Sequence, residues 1–129
     1  MQILIYAPPS EMEKQLWKRI GSVVTGEEYC LFYRVRDLAS YLNQPRNCRG
    51  VCVFQASEEA ELTDLAGMKT LLDDYHLVLV LPGQSERLTS LGHVLHPRFI
   101  DYSDGDLENL GVVLERMINQ LKKRDGLGA

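Results

Sequence analysis

Leu77-Val78-Leu79-Val80-Leu81-Pro82-Gly83 is the stretch that decides the fold. Five apolar residues follow one another without a polar break, and two turn formers then stop the run. A strand with one wet face alternates apolar and polar residues. An unbroken β-branched and aliphatic run fits a strand covered on both faces, as in a parallel sheet layered between helices. Working outward, four more short runs have the same form: Gln2-Ile3-Leu4-Ile5-Tyr6, stopped by Pro8-Pro9; Tyr29-Cys30-Leu31-Phe32-Tyr33; Val51-Cys52-Val53-Phe54, leading into Gln55; and Arg98-Phe99-Ile100-Asp101-Tyr102.

Between these runs the apolar period changes to that of a helix. Ser10-Glu11-Met12-Glu13 has the form of a capping box, and Met12, Leu16, Ile20 and Val23 recur at helical spacing with Trp17 widening the face. Asp37 is expected to cap a short helix carrying Leu38, Tyr41 and Leu42 and ended by Pro45. Ser57-Glu58-Glu59 opens a third helix with acids in its first turn, continued by Leu62, Leu65, Ala66, Leu72 and Tyr75, with Gly67 a soft point. Ser85 starts a fourth, through Leu88, Leu91 and Leu95 to the break at Pro97. Ser103-Asp104-Gly105-Asp106 again has a capping shape, before Leu107, Leu110, Leu114, Met117, Ile118 and Leu121. Strand and helix alternate with short connections throughout. The expected fold class is α/β, a single doubly wound five-stranded parallel sheet with helices on both faces and right-handed crossovers. One domain covers residues 1–129, with 121–129 a frayed tail. That length is enough for one sizeable core.

Composition narrows the function classes. With 14 basic against 18 acidic residues the formal charge is −4, so the chain lacks the basic surface that non-specific nucleic-acid binding needs. The one basic run, Lys122-Lys123-Arg124, falls at the end of the last helix, where cations favour the dipole. Cys30, Cys48 and Cys52 are odd in number and without CxxC spacing, which reads as reduced thiols in a cytoplasmic protein. Met1 runs straight into a strand with no basic leader segment, and no apolar run approaches the ~20 residues that span a membrane. His93 and His96 have a spacing that can hold a metal on a helix, but no acid or thiol adjoins them, and His76 is distant in sequence. No metal is expected.

In an open parallel sheet, ligands bind beyond the carboxyl ends of the strands. Those ends carry Ala7-Pro8-Pro9, Gln55-Ala56-Ser57, Pro82-Gly83-Gln84 and Tyr102-Ser103-Asp104. A dinucleotide or P-loop site needs glycines and backbone N–H groups after the first strand, and the prolines there offer neither. A flavin mononucleotide site of the flavodoxin kind needs a Ser/Thr-rich loop, and the lone Ser10 is accounted for as a helix cap. No cofactor and no catalytic residue is expected.

The order of strands and helices over residues 1–121 resembles the response-regulator receiver domain, a flavodoxin-like (CheY-like) family. That resemblance implies a pair of acids ending the first strand to hold Mg²⁺, a phosphoacceptor aspartate ending the third, Ser/Thr ending the fourth and lysine ending the fifth. Matched strand by strand, this chain has Ala7 and Pro8 at the acid positions, Gln55 at the phosphoacceptor, Pro82 at the Ser/Thr and Tyr102 at the lysine. A carboxylate accepts a phosphoryl group only with cations to neutralise the developing charge, and none of these residues supplies that chemistry. A register slip of one would bring Asp101 toward the site without restoring the set.

Taken with the resemblance, the expected function is that of a non-phosphorylatable pseudo-receiver. It is not an enzyme, and it serves signalling or regulation as a protein–protein interaction module. The receiver output face implies an interface around Leu88, Leu91, Phe99, Tyr102 and Met117, with Tyr102 as its aromatic anchor. The expected partner is another protein or a second copy in a homodimer, with neither nucleic acid nor membrane. The alternative is a small-molecule-binding domain or an unassigned enzyme, in which Gln55, Ser57, Gln84, Tyr102 and Asp104 line the strand-end crevice.

Overall fold

The structure, a computed structural model, describes the backbone of residues 2–44 and 49–127 and the side chains of the same residues up to 123. Pro45 and Cys48 lie outside the described residues. Five strands, β1 (Gln2–Tyr6), β2 (Tyr29–Phe32), β3 (Gly50–Gln55), β4 (Tyr75–Leu81) and β5 (Phe99–Tyr102), alternate with five helices. These are α1 (Glu11–Val24), α2 (Val35–Leu42), α3 (Glu59–Gly67), α4 (Glu86–Val94) and α5 (Leu110–Leu127). All four strand pairings are parallel, in the order β2-β1-β3-β4-β5. The chain turns from one side of β1 to the other after β2, so the topological switch point lies between β1 and β3.

Period-two alternation along the central strands divides the core into two halves. Ile3, Ile5, Val51, Val53, Val78 and Val80 face α1 and α5 and meet Leu16, Ile20, Leu114 and Ile118. Leu4, Cys52, Phe54, Leu77, Leu79 and Leu81 face the other way, against Leu38 of α2, Leu62 and Leu65 of α3, and Leu95 after α4. Both faces of β3 and β4 are therefore covered, which is why their sequences are continuously apolar. Each fully buried aliphatic side chain contributes about 1.5–3 kcal/mol relative to exposure. Burial also pushes the Cys52 thiol up to about 12, because the thiolate has no solvent or cation to stabilise it. One close approach fixes the start of β3. A Cβ on Gly50 would lie 1.8 Å from the Gln2 carbonyl oxygen, so no side chain fits there.

Several boundaries differ from the sequence reading. Ser10 and Ser85 cap α1 and α4 as expected, each side-chain oxygen accepting from the backbone N–H three residues on. Asp37 instead sits in the first turn of α2, whose N-cap is Arg34. α3 stops at Gly67 and continues only as a 3-10 turn over Lys69–Leu72, so Tyr75 belongs to β4 rather than to the helix. His96 has φ 50° and follows the end of α4, so His93 and His96 do not share helical spacing. The last helix starts at Leu110 rather than after a cap at Ser103. Leu107 precedes it in the left-handed region (φ 55°) with its side chain 1% exposed in the core. Anchoring that leucine outweighs the usual cost of positive φ. At the far end α5 stays helical through Leu127, across most of the segment expected to fray.

Candidate functional site

The carboxyl ends of β1, β3 and β5 meet around one side chain. Gln55, the last residue of β3, pairs in register with Val80 and is 1% exposed. Its Nε2 donates to the Met12 carbonyl at 3.0 Å and to Ser103 Oγ at 3.4 Å. These bonds join β3 to the first turn of α1 and to the residue after β5. Its Oε1 is buried and has no hydrogen-bond partner among the described residues. An amide cannot serve as a phosphoryl nucleophile, and here both its protons are directed at acceptors of the fold. Beside it, Ala7 is fully buried, donates its N–H to the Phe32 carbonyl, and brings no carboxylate; Pro8 is half-buried. Pro82 and Gly83 lead out of β4 on the far side, where Gly83 lies close to Asp104.

The structure separates one residue of the strand-end set from Gln55. Tyr102 does not reach Gln55. It points to the α2–α3–α4 side, packs on that half of the core, and brings its hydroxyl within 3.4 Å of Thr89 Oγ1 in α4. Ser103 is the residue beyond β5 that meets Gln55, held there by its N–H donating to the Leu81 carbonyl at 2.7 Å. The slip is one residue in the direction away from Asp101, whose Oδ1 accepts from the Tyr102 N–H. Phe-Ile-Asp-Tyr-Ser has polar groups at three successive positions, so the sequence gives no sign of which one faces inward.

A second polar cluster, absent from the sequence reading, closes the neighbouring loop. Glu61 in the first turn of α3 is 9% exposed. Its Oε2 accepts from the Tyr6 hydroxyl at 2.5 Å, and its Oε1 accepts from the backbone N–H groups of Ser57 (3.0 Å) and Glu58 (3.1 Å) and from the Ser57 hydroxyl. Glu58 completes a reciprocal capping box with Glu61. Tyr6 stacks on Phe54 with ring centroids 4.2 Å apart and planes within 11°. Burial, and then the Glu61 carboxylate, raise the Tyr6 phenol well above its ordinary range. The spacing Glu58-x-x-Glu61 was the available signal, but a capping box gives no hint that a tyrosine from β1 joins it.

These contacts occupy several of the groups that a small ligand would use. Gln55 Nε2, the Ser57 hydroxyl and the Tyr102 hydroxyl all have partners within the fold, while Gln84 and Asp104 are exposed. The residues expected to form one interface are also separated. Leu88, Leu91 and Tyr102 pack on the α2–α3–α4 half, whereas Phe99 and Met117 pack on the α1–α5 half, with edge strand β5 between them. All five are half-buried. Among the described residues there is no group of His, Cys, Asp and Glu side chains that could hold a metal ion, and no helix long and apolar enough to cross a membrane.

No family model and no curated protein matches this sequence. Solved structures do match it. One is a pilus assembly-related protein from Burkholderia pseudomallei, with a TM-score of 0.67 and 15% identity over 93% of this chain and 90% of that one. Another is a CheY-like response regulator receiver domain protein from Methanospirillum hungatei, with a TM-score of 0.63 and 14% identity over 95% of this chain and 97% of that one. At such identity the likeness concerns architecture, and the architecture of this chain is receiver-like.

Proposed function

We propose that this domain is a pseudo-receiver, a receiver-fold module that does not take up phosphate and works by binding another protein in signalling or regulation. The observation that carries the reading is Gln55. At the strand end where a receiver presents its nucleophile, this chain has a buried amide bonded to the Met12 carbonyl and to Ser103, with Ala7 and Pro8 where an acidic pair would hold Mg²⁺. With no carboxylate to attack and none to hold a cation, the aspartyl-phosphate route has neither nucleophile nor charge compensation. What remains of the receiver is its surface. The side formed by α4 and β5 offers half-buried Leu88, Leu91 and Tyr102 as apolar contacts, and Tyr102 supplies an aromatic of the kind that anchors interfaces. A role in the cytoplasm, without catalysis, fits this reading, and so does the description of one structural neighbour as pilus assembly-related, since assembly is an interaction function.

Acetyl phosphate with Mg²⁺, followed by intact and native mass spectrometry, tests the reading. The expected result is an unchanged covalent mass and an unchanged oligomeric state. A hydroxylamine-labile addition of one phosphate, or a change of oligomeric state on treatment, would overturn it.

A further inference from the structure

At the opposite end of the sheet, below the amino ends of β3 and β4 and the start of β5, lies a cavity of about 430 Å³. Its floor is apolar: Leu72, Leu77 and Leu95 are each at most 6% exposed. Arg49, Lys69 and Arg98 stand around it, with Asp73 and Asp74 on one side. A second cavity of about 370 Å³ shares His76, Arg98 and Leu121 with the first and adds Lys123, so the two adjoin. Among the described residues the two linings hold four permanent cations (Arg49, Lys69, Arg98, Lys123) and two aspartates, on a chain whose net charge is −4. Among the described residues none of these four cations makes an ion pair; the pairs found there are Lys14–Glu11, Arg87–Glu59 and Lys122–Glu27.

We propose that this trough binds a small phosphorylated organic molecule of nucleotide type. The volume is within the range of ligand pockets, about 300–1,000 Å³. Guanidinium groups recognise phosphate with paired N–H donors, and Arg49 and Arg98 both line this cavity. The leucines of the lining suit the flat, weakly polar face of a base. Asp73 and Asp74, which would repel a bare polyanion on their side, are suited to accept hydrogen bonds from sugar hydroxyls or ring amino groups. The inference is independent of the pseudo-receiver reading, because it uses the other end of the sheet.

The test is an amide ¹H–¹⁵N titration of the intact chain with AMP, ATP and, separately, inorganic phosphate. The expected result is a saturable shift at the amides of Tyr75, His76, Leu77 and Arg98 with at least one of the two nucleotides. Arg98→Gln and Lys69→Gln should each weaken that binding by about tenfold while leaving the spectrum of the free protein otherwise intact. Failure of both nucleotides to saturate, shifts that map to the strand carboxyl ends, or equal affinity in Arg98→Gln would overturn the proposal. Inorganic phosphate binding as tightly as the nucleotides would do the same, because the apolar floor would then contribute nothing.

Discussion

The two ends of the sheet are built on opposite principles. At the carboxyl end, polar groups are buried and mostly bonded within the fold: Gln55 Nε2 to Met12 and Ser103, and Glu61 to Tyr6, Ser57 and Glu58, with Gln55 Oε1 left without a partner among the described residues. At the amino end, charged groups surround an open cavity and are left facing solvent. In an α/β fold of this topology the carboxyl end is where function is ordinarily sought, since the helix amino termini and the loops after the strands converge there. Here that end has become part of the framework. Buried polar networks are costly to break, whereas exposed charges are cheap to change. The comparison therefore predicts an asymmetry in stability that mutagenesis can measure.

The largest effect is expected from Glu61→Ala. The carboxylate accepts hydrogen bonds from a tyrosine hydroxyl, a serine hydroxyl and two backbone N–H groups, and its removal leaves several of these donors with no acceptor inside the protein. Charge-assisted bonds of this kind, together with the desolvation of stranded donors, set the loss at about 3 kcal/mol in urea or thermal unfolding. A loss below about 1 kcal/mol would mean that water replaces the carboxylate readily, and the carboxyl end would no longer count as closed.

A middle-sized effect should appear in alkaline solution. The Cys52 side chain lies midway along β3 and is fully buried, and its thiol is raised from an ordinary 9.0 to about 12. The fold therefore keeps the proton that the unfolded chain gives up. Stability from this group is complete below about pH 9 and is lost as pH rises toward 12, at up to about 1.4 kcal/mol per pH unit. Tyr6, also raised, adds a loss of the same sign that begins nearer pH 10. Cys52→Ala should be less stable at neutral pH because of the cavity it leaves, yet lose stability less steeply between pH 9 and 10. Parallel slopes for the two proteins would show that the thiol is reached by solvent and that the middle of the sheet is not sealed.

How much of this was legible beforehand depended on the kind of signal. The five strands were readable because two-sided burial leaves continuous apolar runs, and Leu77 to Leu81 could hardly be anything else. Caps at Ser10 and Ser85 were readable because N-capping is local chemistry. The start of α5 was misplaced because Leu107 takes a left-handed conformation to reach the core, a tertiary demand that overrides the capping pattern before it. That Ser103 rather than Tyr102 meets Gln55 was not readable, because β5 is short and its inward face is set by pairing with β4 rather than by its own alternation. Glu61 carries no signal of its own in the sequence, since an acid near a helix start does not announce a buried tyrosine partner. The amino-end trough had no motif at all: Arg49, Lys69, Arg98 and Lys123 are scattered over 75 positions, and only the crossovers bring them together.

The smallest effect completes the comparison, and its smallness is the point. Arg98→Gln and Lys69→Gln remove cations that make no ion pair among the described residues, and the Arg98 side chain is exposed. What Arg98 contributes to the fold is its backbone N–H, which donates to the Leu77 carbonyl at 2.8 Å and survives the substitution. Each variant should therefore unfold within about 0.5 kcal/mol of the parent, the ordinary range for surface positions. Lowering the local density of positive charge can even make the change slightly favourable at low salt, where repulsion among the four cations is least screened. A loss of more than about 1 kcal/mol from either variant would show that the cation holds up the amino end of the sheet. The basic lining would then have a structural cause, and the contrast between a consumed end and a free one would fail. Neutral stability combined with intact folding is the outcome under which the fold gives no account of Arg98 and Lys69 at this end.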